Sequence, residues 1–280
     1  MFQVFKITTG EIQKLISDHT VDTNYAQLYE NLAKRVRTTL TAKNVEAHYH
    51  DGSRLQEDWF PNNIGPFHIF ISHSSKDAKV VKQFAKWLKL HLNLDCFVDS
   101  VYWEYSDNLL MKLDIAWCRY WSKQSRRYLY YYNKRNFTTA NVHCMLSMAL
   151  MKMMNSCECV ILIDSDNSLR YRRGESVEKT PSPWIYEEIE MANMLPHIVP
   201  DRLKNKRQLN ERLLIKAFAA GTEALEPIYY KAVTKDFPSV TANIFKKAES
   251  DSFGKASEDK PSTALDSIYE YLGIIQKHTD

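Results

Sequence analysis

The sequence predicts an α/β protein organised around a central parallel sheet. Two observations carry that reading. Residues 67–98 run as a short apolar strand, an amphipathic helix and a second short apolar strand, and such a unit sets its two strands parallel in one sheet. A further apolar run, CVILID at 159–164, follows another helical segment. The 280 residues are 44% hydrophobic and 25% charged, which suits a globular chain of one large or two small domains.

In chain order, residues 1 to about 60 read as helical. Tyr25, Leu28, Leu32, Val36 and Leu40 recur at three- and four-residue spacing and form one apolar stripe. The polar, turn-forming stretch HDGSRLQEDWFPNNIGP (50–66) ends this part. Residues 1–63 are therefore expected to be a helical N-terminal extension, followed by a second domain over 64–280. FHIFIS (67–72) has the apolar, β-rich make-up of a buried strand. Ser74 or Ser75 then suits a helix cap, and Val80, Val81, Phe84, Trp87, Leu88 and Leu92 keep the helical period through Lys76–His91. Cys96–Val98 is the second strand. About residues 99–157 form a long insertion before the third. Within it, Ser106 or Asp107 is expected to cap a helix carrying Leu109, Leu110, Leu113, Trp117 and Tyr120, and a Met-rich helix spans Thr139–Asn155. After CVILID come a polar loop (165–183), a helix at 183–195, a last strand IYYKAV (228–233), a solvated loop (247–262) and an amphipathic helix over Leu265–Ile275.

Composition excludes several functions. Only 7 residues are glycine, against a usual share of roughly 7%, and neither G-x-G-x-x-G nor the Walker pattern occurs. Glycine-loop dehydrogenases, P-loop NTPases and protein kinases are thereby excluded. The 37 basic and 34 acidic residues leave a net charge of +3, too balanced to require nucleic acid or an anionic membrane. No stretch approaches the roughly 18 apolar residues of a membrane helix, and MFQVFKITTGEIQ lacks the basic flank and apolar core of a signal peptide. The five cysteines form no C-x-x-C pair; they read as free thiols of a cytoplasmic protein, with no metal expected. His48 and His50, flanked by Glu46 and Asp51, read as surface polar groups rather than ligands.

In parallel sheets, ligands bind beyond the carboxyl ends of the strands. Three segments fall there: Ser72-His73-Ser74-Ser75-Lys76-Asp77, then Asp99 through Trp103, and the helix PSPWIYEEIEMANML. Ser182 suits the N-cap of that helix and Pro183 its first position. Trp184 and Glu188, four apart, share a face. An aromatic plate beside a carboxylate can stack a flat heterocycle and stabilise a developing cation. A solvent-facing Glu188 beside a buried Trp184 gives the same pattern, so the residues alone leave both open. Glu187 and Glu190 point elsewhere on the helix.

Taken in order, FHIFISHSSKD, DCFVDSVYW, CVILID and SPWIYEEIEMANML resemble a TIR domain, especially the bacterial antiviral TIR proteins of Thoeris type. The resemblance covers roughly residues 64–280. It implies a flavodoxin-like sheet and cleavage of NAD+ at the nicotinamide–ribose bond, with NAD+ as substrate and no resident cofactor. The family's catalytic glutamate is the last residue of W-x-x-x-E, which falls on Glu188. Ser72, His73, Ser74, Asp99, Trp103 and Trp184 would line the substrate pocket. The implied product is an ADP-ribose-derived signal, cyclic or modified, made in anti-phage defence and sensed by a downstream effector. The implied assembly is a homo-oligomer through TIR contacts. The alternative is a non-catalytic TIR scaffold working by homotypic association. The sequence departs from the family in two respects: residues 99–137 contain neither glycine nor proline, which such proteins usually carry in the loop after the second strand, and the connection between the second and third strands is long, residues 99–158.

The insertion also carries CRYWSKQSRRYLYYYNKRNF (118–137), with six basic residues, seven aromatics and no acid. Aromatics interleaved with Arg and Lys can stack bases and neutralise phosphates. A helix that packs its rings inward beneath snorkelling basic chains has the same composition. A protein contact surface is the preferred use, ahead of nucleic acid. Arg170, Arg172 and Arg173 are either solvated charge or helpers for a diphosphate.

Overall fold

Four apolar runs form one parallel sheet: β1 (Gln3–Thr8), β2 (Ile69–Ser72), β3 (Cys96–Val98) and β6 (Cys159–Asp164), in the order β1-β6-β2-β3. The computed structural model describes residues 1–17, 51–60, 65–171, 178–204 and 229–275. Burial on both faces is why these strands read as continuous apolar runs rather than alternating ones. Ile69, Phe70, Ile71, Phe97 and Ile163 are fully buried. The sheet thus has the α/β, flavodoxin-like character expected, with helices packed against it.

The N-terminus is a correction. Residues 3–8 are not part of a helical extension; they form a strand of the central sheet, in register from Gln3 against Cys159 to Thr8 against Asp164. Phe2, Val4, Phe5 and Ile7 supply the buried apolar surface that a strand beside β6 requires. The outer edge of β1 is closed in turn by the segment at Ser239, where Lys6 N–H donates to Pro238 O and Val240 N–H to Lys6 O. Covering an edge in this way removes unpaired ladder groups. Helix α1 (Thr9–Ile16) follows directly, capped by the Thr8 hydroxyl, which accepts from Glu11 N–H. The Tyr25–Leu40 stripe, with Glu46, His48 and His50, lies outside the described residues.

The chain divides into two compact units. The first contains 1–21, 66–98 and 154–280, hence the whole central sheet. Its helix α3 (Ala78–Leu92) buries Val81, Phe84, Trp87, Leu88 and Leu92, close to the expected stripe, and ends at Asn93 with a left-handed φ of 55°. A single turn of 3-10 helix, Ser75–Asp77, precedes it. Helices α6 (Pro183–Met194), α7 (Ala242–Asp251) and α8 (Lys260–Tyr271) complete the unit. The expected loop at 247–262 is therefore helical at both ends, because Phe245 and Ala248 give α7 its own buried stripe. The expected last strand is also different. Tyr230–Lys231 (β9) joins a small antiparallel sheet with β7 (Arg170–Tyr171) and β8 (Glu178–Thr180), outside the central sheet.

The second unit contains 22–65 and 99–153. Here α2 (Gly52–Trp59) buries Leu55 and Trp59, and Lys112 Nζ lies 4.8 Å from the centre of a Trp59 ring. Helix α4 (Ser100–Leu113) begins six residues before the expected cap at Ser106, which is buried inside it. It runs into a π-helical turn, Asp114–Cys118. The segment 119–130 is a two-stranded hairpin, β4 (Arg119–Ser122) against β5 (Arg127–Tyr130), and α5 (Tyr132–Ser156) starts seven residues before Thr139. With no glycine or proline over 99–137, nothing breaks either helix at the expected point. No helix among the described residues is long and apolar enough to cross a membrane.

Candidate functional site

The site is built where β2 and β6 end. The chain leaves β2 toward β3 on one side, whereas β6 lies on the other, and crevices form at the carboxyl ends where connections diverge in this manner. Helix α6 is aimed at that edge by its own start signals. The Ser182 hydroxyl accepts from Ile185 N–H at 3.3 Å, and Pro183 holds the first turn. Its far face is held by the small sheet, through stacking of Tyr186 on Tyr230 with ring centres 4.6 Å apart, and by Asn193 Nδ2 donating to Val233 O.

The face turned inward presents Ile185, Glu188 and Ile189, all buried. Glu188 is only 2% exposed. The Ser72 hydroxyl donates to its Oε2 at 2.5 Å, the short distance typical of an O–H donor on a carboxylate. Ser72 is the last residue of β2, and His73, directly after it, is also buried. Two of the pocket residues expected from sequence thus converge with the carboxylate or its donor at one strand end. Glu187 and Glu190 are half-buried, so Glu188 is the most enclosed carboxylate of the helix.

A second cluster fixes the loop after β6. Asp77 accepts from Ser165 Oγ at 2.5 Å and from Asn167 Nδ2 at 2.8 Å, while Ser168 Oγ donates to Ile163 O. Asp77 occupies the cap position of α3 but makes no capping bond there. Its side chain instead joins the end of β6 to the start of that helix. Beside it lies a cavity of about 510 Å³, open to solvent and lined by Thr9, Gln13, Lys76, Lys79 and Gln83 among others.

Next along the edge, Asp164 ends β6. Burial raises its carboxyl above the ordinary value, aided by Glu178 and Asp166 and opposed by Lys6. Lys6 Nζ pairs with Glu178 at 3.3 Å, and the Thr234 hydroxyl donates to the other Glu178 oxygen. Asp77, Lys6, Glu178 and Asn167 were not singled out by sequence reasoning. Asp77 stands inside the segment Ser72–Asp77, but nothing local marks Glu178, which the sequence puts in a polar loop and the structure in β8.

The remaining expected residues are placed less closely. Ser74 is half-buried and makes no side-chain cap bond. Trp184 is half-buried, one turn before Glu188. Asp99 is buried at the cap position of α4, and Trp103 lies on that helix; both belong to the second unit. Arg170 is exposed, its Nε donating to Asp166 O, and Arg172 and Arg173 lie outside the described residues. Comparison of the chain with protein-family models, curated proteins and solved structures finds no match.

Proposed function

We propose that this chain cleaves NAD+ at the nicotinamide–ribose bond, with Glu188 as the carboxylate that faces the ribosyl cation. One observation carries the reading: the carboxylate of Glu188 is enclosed at the carboxyl end of the sheet and held there by the Ser72 hydroxyl. Nicotinamide departs as a neutral ring, so the reaction asks little of a general acid. The energetic demand is the positive charge that develops on the ribose. A fixed carboxylate in a water-poor site stabilises that charge more than the same group in bulk water, as a carboxylate does in glycoside hydrolysis. The Ser72 bond holds one carboxylate oxygen, which fixes the direction in which the charge is presented. Lys76 and Lys79, exposed on the cavity beside Asp77, carry positive charge suited to a diphosphate.

The enclosure of Glu188 also implies that turnover requires the crevice to open, as it would if association of copies or a trigger uncovered it. In the setting that the TIR resemblance implies, the product is an ADP-ribose-derived signal for a downstream effector. The same enclosure favours a second reading, a scaffold that associates with itself and in which Glu188 only ties α6 to β2.

One experiment separates the two. Purified protein is incubated with NAD+ over a range of protein concentrations, and nicotinamide is measured for wild type and Glu188→Gln. The catalytic reading expects wild-type release that rises steeply with concentration and falls by at least about 100-fold in the variant, the scale of a lost electrostatic group. Equal release by a folded variant refutes it.

A further inference from the structure

We propose that the hairpin β4–β5 is a binding site for single-stranded nucleic acid, with bases stacked on Trp121, Tyr128 and Tyr130. The proposal is independent of the NAD+ reading. Cross-strand partners in an antiparallel pair point to the same face. Arg119 stands opposite Tyr130 and Trp121 opposite Tyr128, so one face of the hairpin carries three aromatic rings and a guanidinium. Those rings are not core. Trp121 is 52% exposed, Tyr128 54% and Tyr130 41%. The alternative in which this segment packs its rings inward therefore does not describe it. The opposite face, with Tyr120 and Leu129, is the half-buried one.

The rings are already arranged for planar ligands. Trp121 and Tyr128 meet edge to face, with centres 5.1 Å apart. The Arg119 guanidinium lies 4.3 Å from the centre of the Tyr128 ring, and that of Arg135 lies 5.2 Å from Tyr130. Stacked aromatic and guanidinium planes offer every base a surface, whatever its sequence. The charge has one sign. Segment 118–137 holds six basic residues and no acid, and Arg135 is the one of them paired with a described carboxylate, Asp114, at 2.8 Å. Lys123 and Arg126 sit at the tip, where a backbone passing over the rings would bring its phosphates, whereas Arg127, opposite Ser122, is on the other face.

This combination separates the occupants. Protein contact surfaces also enrich aromatics and Arg, but a self-complementary patch needs charges of both signs, and segment 118–137 carries no acid. A lipid surface would take aliphatic anchors, yet the hairpin strands' one aliphatic side chain, Leu129, is on the half-buried face. A strand of phosphates and unpaired bases meets both features at once.

The test is fluorescence anisotropy with labelled oligo(dT) and oligo(U) of about 12 nucleotides, within the usual range of site sizes, added to the full chain. Wild type is expected to bind both more tightly than a duplex of equal length. Affinity should fall with salt at a logarithmic slope of about −2 to −3.5, as for three to five neutralised phosphates on a single strand. Any preference between the two oligonucleotides identifies DNA or RNA as the natural source. Trp121→Ala and Tyr128→Ala should each weaken binding by about five- to 150-fold, the range of one lost stacking contact, and Trp121→Phe with Tyr128→Phe should restore most of it. Lys123→Glu with Arg126→Glu should lower both affinity and slope. The proposal is overturned if wild type binds no oligonucleotide at low salt, or if binding ignores loss of the two rings. It is equally overturned if the rings prove necessary only for binding phosphatidylserine vesicles or for self-association.

Discussion

Replacing Ser72 by alanine tests the link on which the candidate site depends. The substitution removes a hydroxyl and little volume, from a residue buried at the end of β2. What is lost is the 2.5 Å hydrogen bond to Glu188 Oε2. A hydrogen bond to a charged group contributes about 1.5–3 kcal/mol net. Exposure offers no relief, since water has almost no access to the carboxylate. For a unit of this size each kcal/mol moves Tm by about 2–4 °C, so thermal unfolding should shift down by about 3–12 °C. The control is the same change in a Glu188→Gln background. A neutral amide oxygen receives a weaker bond, about 0.5–1.5 kcal/mol, so the cost of losing Ser72 should fall by roughly half in the double-mutant cycle. If Ser72→Ala leaves Tm unchanged, or costs as much beside Gln as beside Glu, the hydroxyl does not hold a charged carboxylate and the site is wrongly drawn. If the catalytic reading also holds, the loosened carboxylate should slow nicotinamide release by about 10–100-fold, the scale of a small misplacement.

Two further predictions rest on other residues. His68 accepts a hydrogen bond from Asp95 N–H at its Nδ1, 2.9 Å away, and burial holds its pKa below the ordinary 6.5 despite the raising effect of Asp95. The folded chain therefore favours neutral His68, and its contribution is complete above 6.5 and is lost as pH falls through the depressed value. His68→Asn, which keeps an acceptor but cannot titrate, should flatten the decline of Tm between pH 7 and 5; parallel curves for the two proteins would refute this. Among the thiols, burial raises Cys96 and Cys159 well above the usual range and pushes Cys157 to about 12, whereas Cys144 is exposed. Brief iodoacetamide treatment of the native chain should thus add one group, at Cys144, and mass spectrometry showing modification of Cys157 or Cys159 would contradict the burial.

The parts of the fold visible in the sequence are those in which one local signal decides the outcome. FHIFIS and CVILID are runs too short for helices, mostly apolar and rich in β-branched or aromatic residues, as suits a strand covered on both sides. The Ser182–Pro183 start of α6 is legible for the same reason, since a cap hydroxyl and a proline at the first turn are chemical requirements of a helix end. By contrast, QVFKIT at residues 3–8 carries a lysine at its centre and precedes a conspicuous helical stripe. It becomes a strand because β6 and the 238–240 segment lie on either side of it and because Glu178, far along the chain, pairs with that lysine. No window of local sequence contains that information.

The candidate site divides along the same line, and the division bears on how the two proposals should be weighed. Glu188 shares a helix face with Trp184 by its spacing, and its selection over Glu187 as a candidate is what the TIR resemblance implies. Ser72 is legible as a strand-end residue lining a pocket, but not as the donor to Glu188. That the two meet is a tertiary fact, and so is the burial that decides between a solvated glutamate and an enclosed one. The hairpin shows the opposite relation. Its basic and aromatic composition is plain in the sequence, but composition is equally satisfied by rings turned inward. What distinguishes the cases is a strand period, which puts Trp121, Tyr128 and Tyr130 on one face, together with the exposure of those rings. Burial thus strengthens the case for Glu188 as a group held for chemistry or for architecture, while exposure strengthens the case for the hairpin as a group of side chains awaiting a ligand. Nicotinamide release and oligonucleotide binding can therefore fail separately.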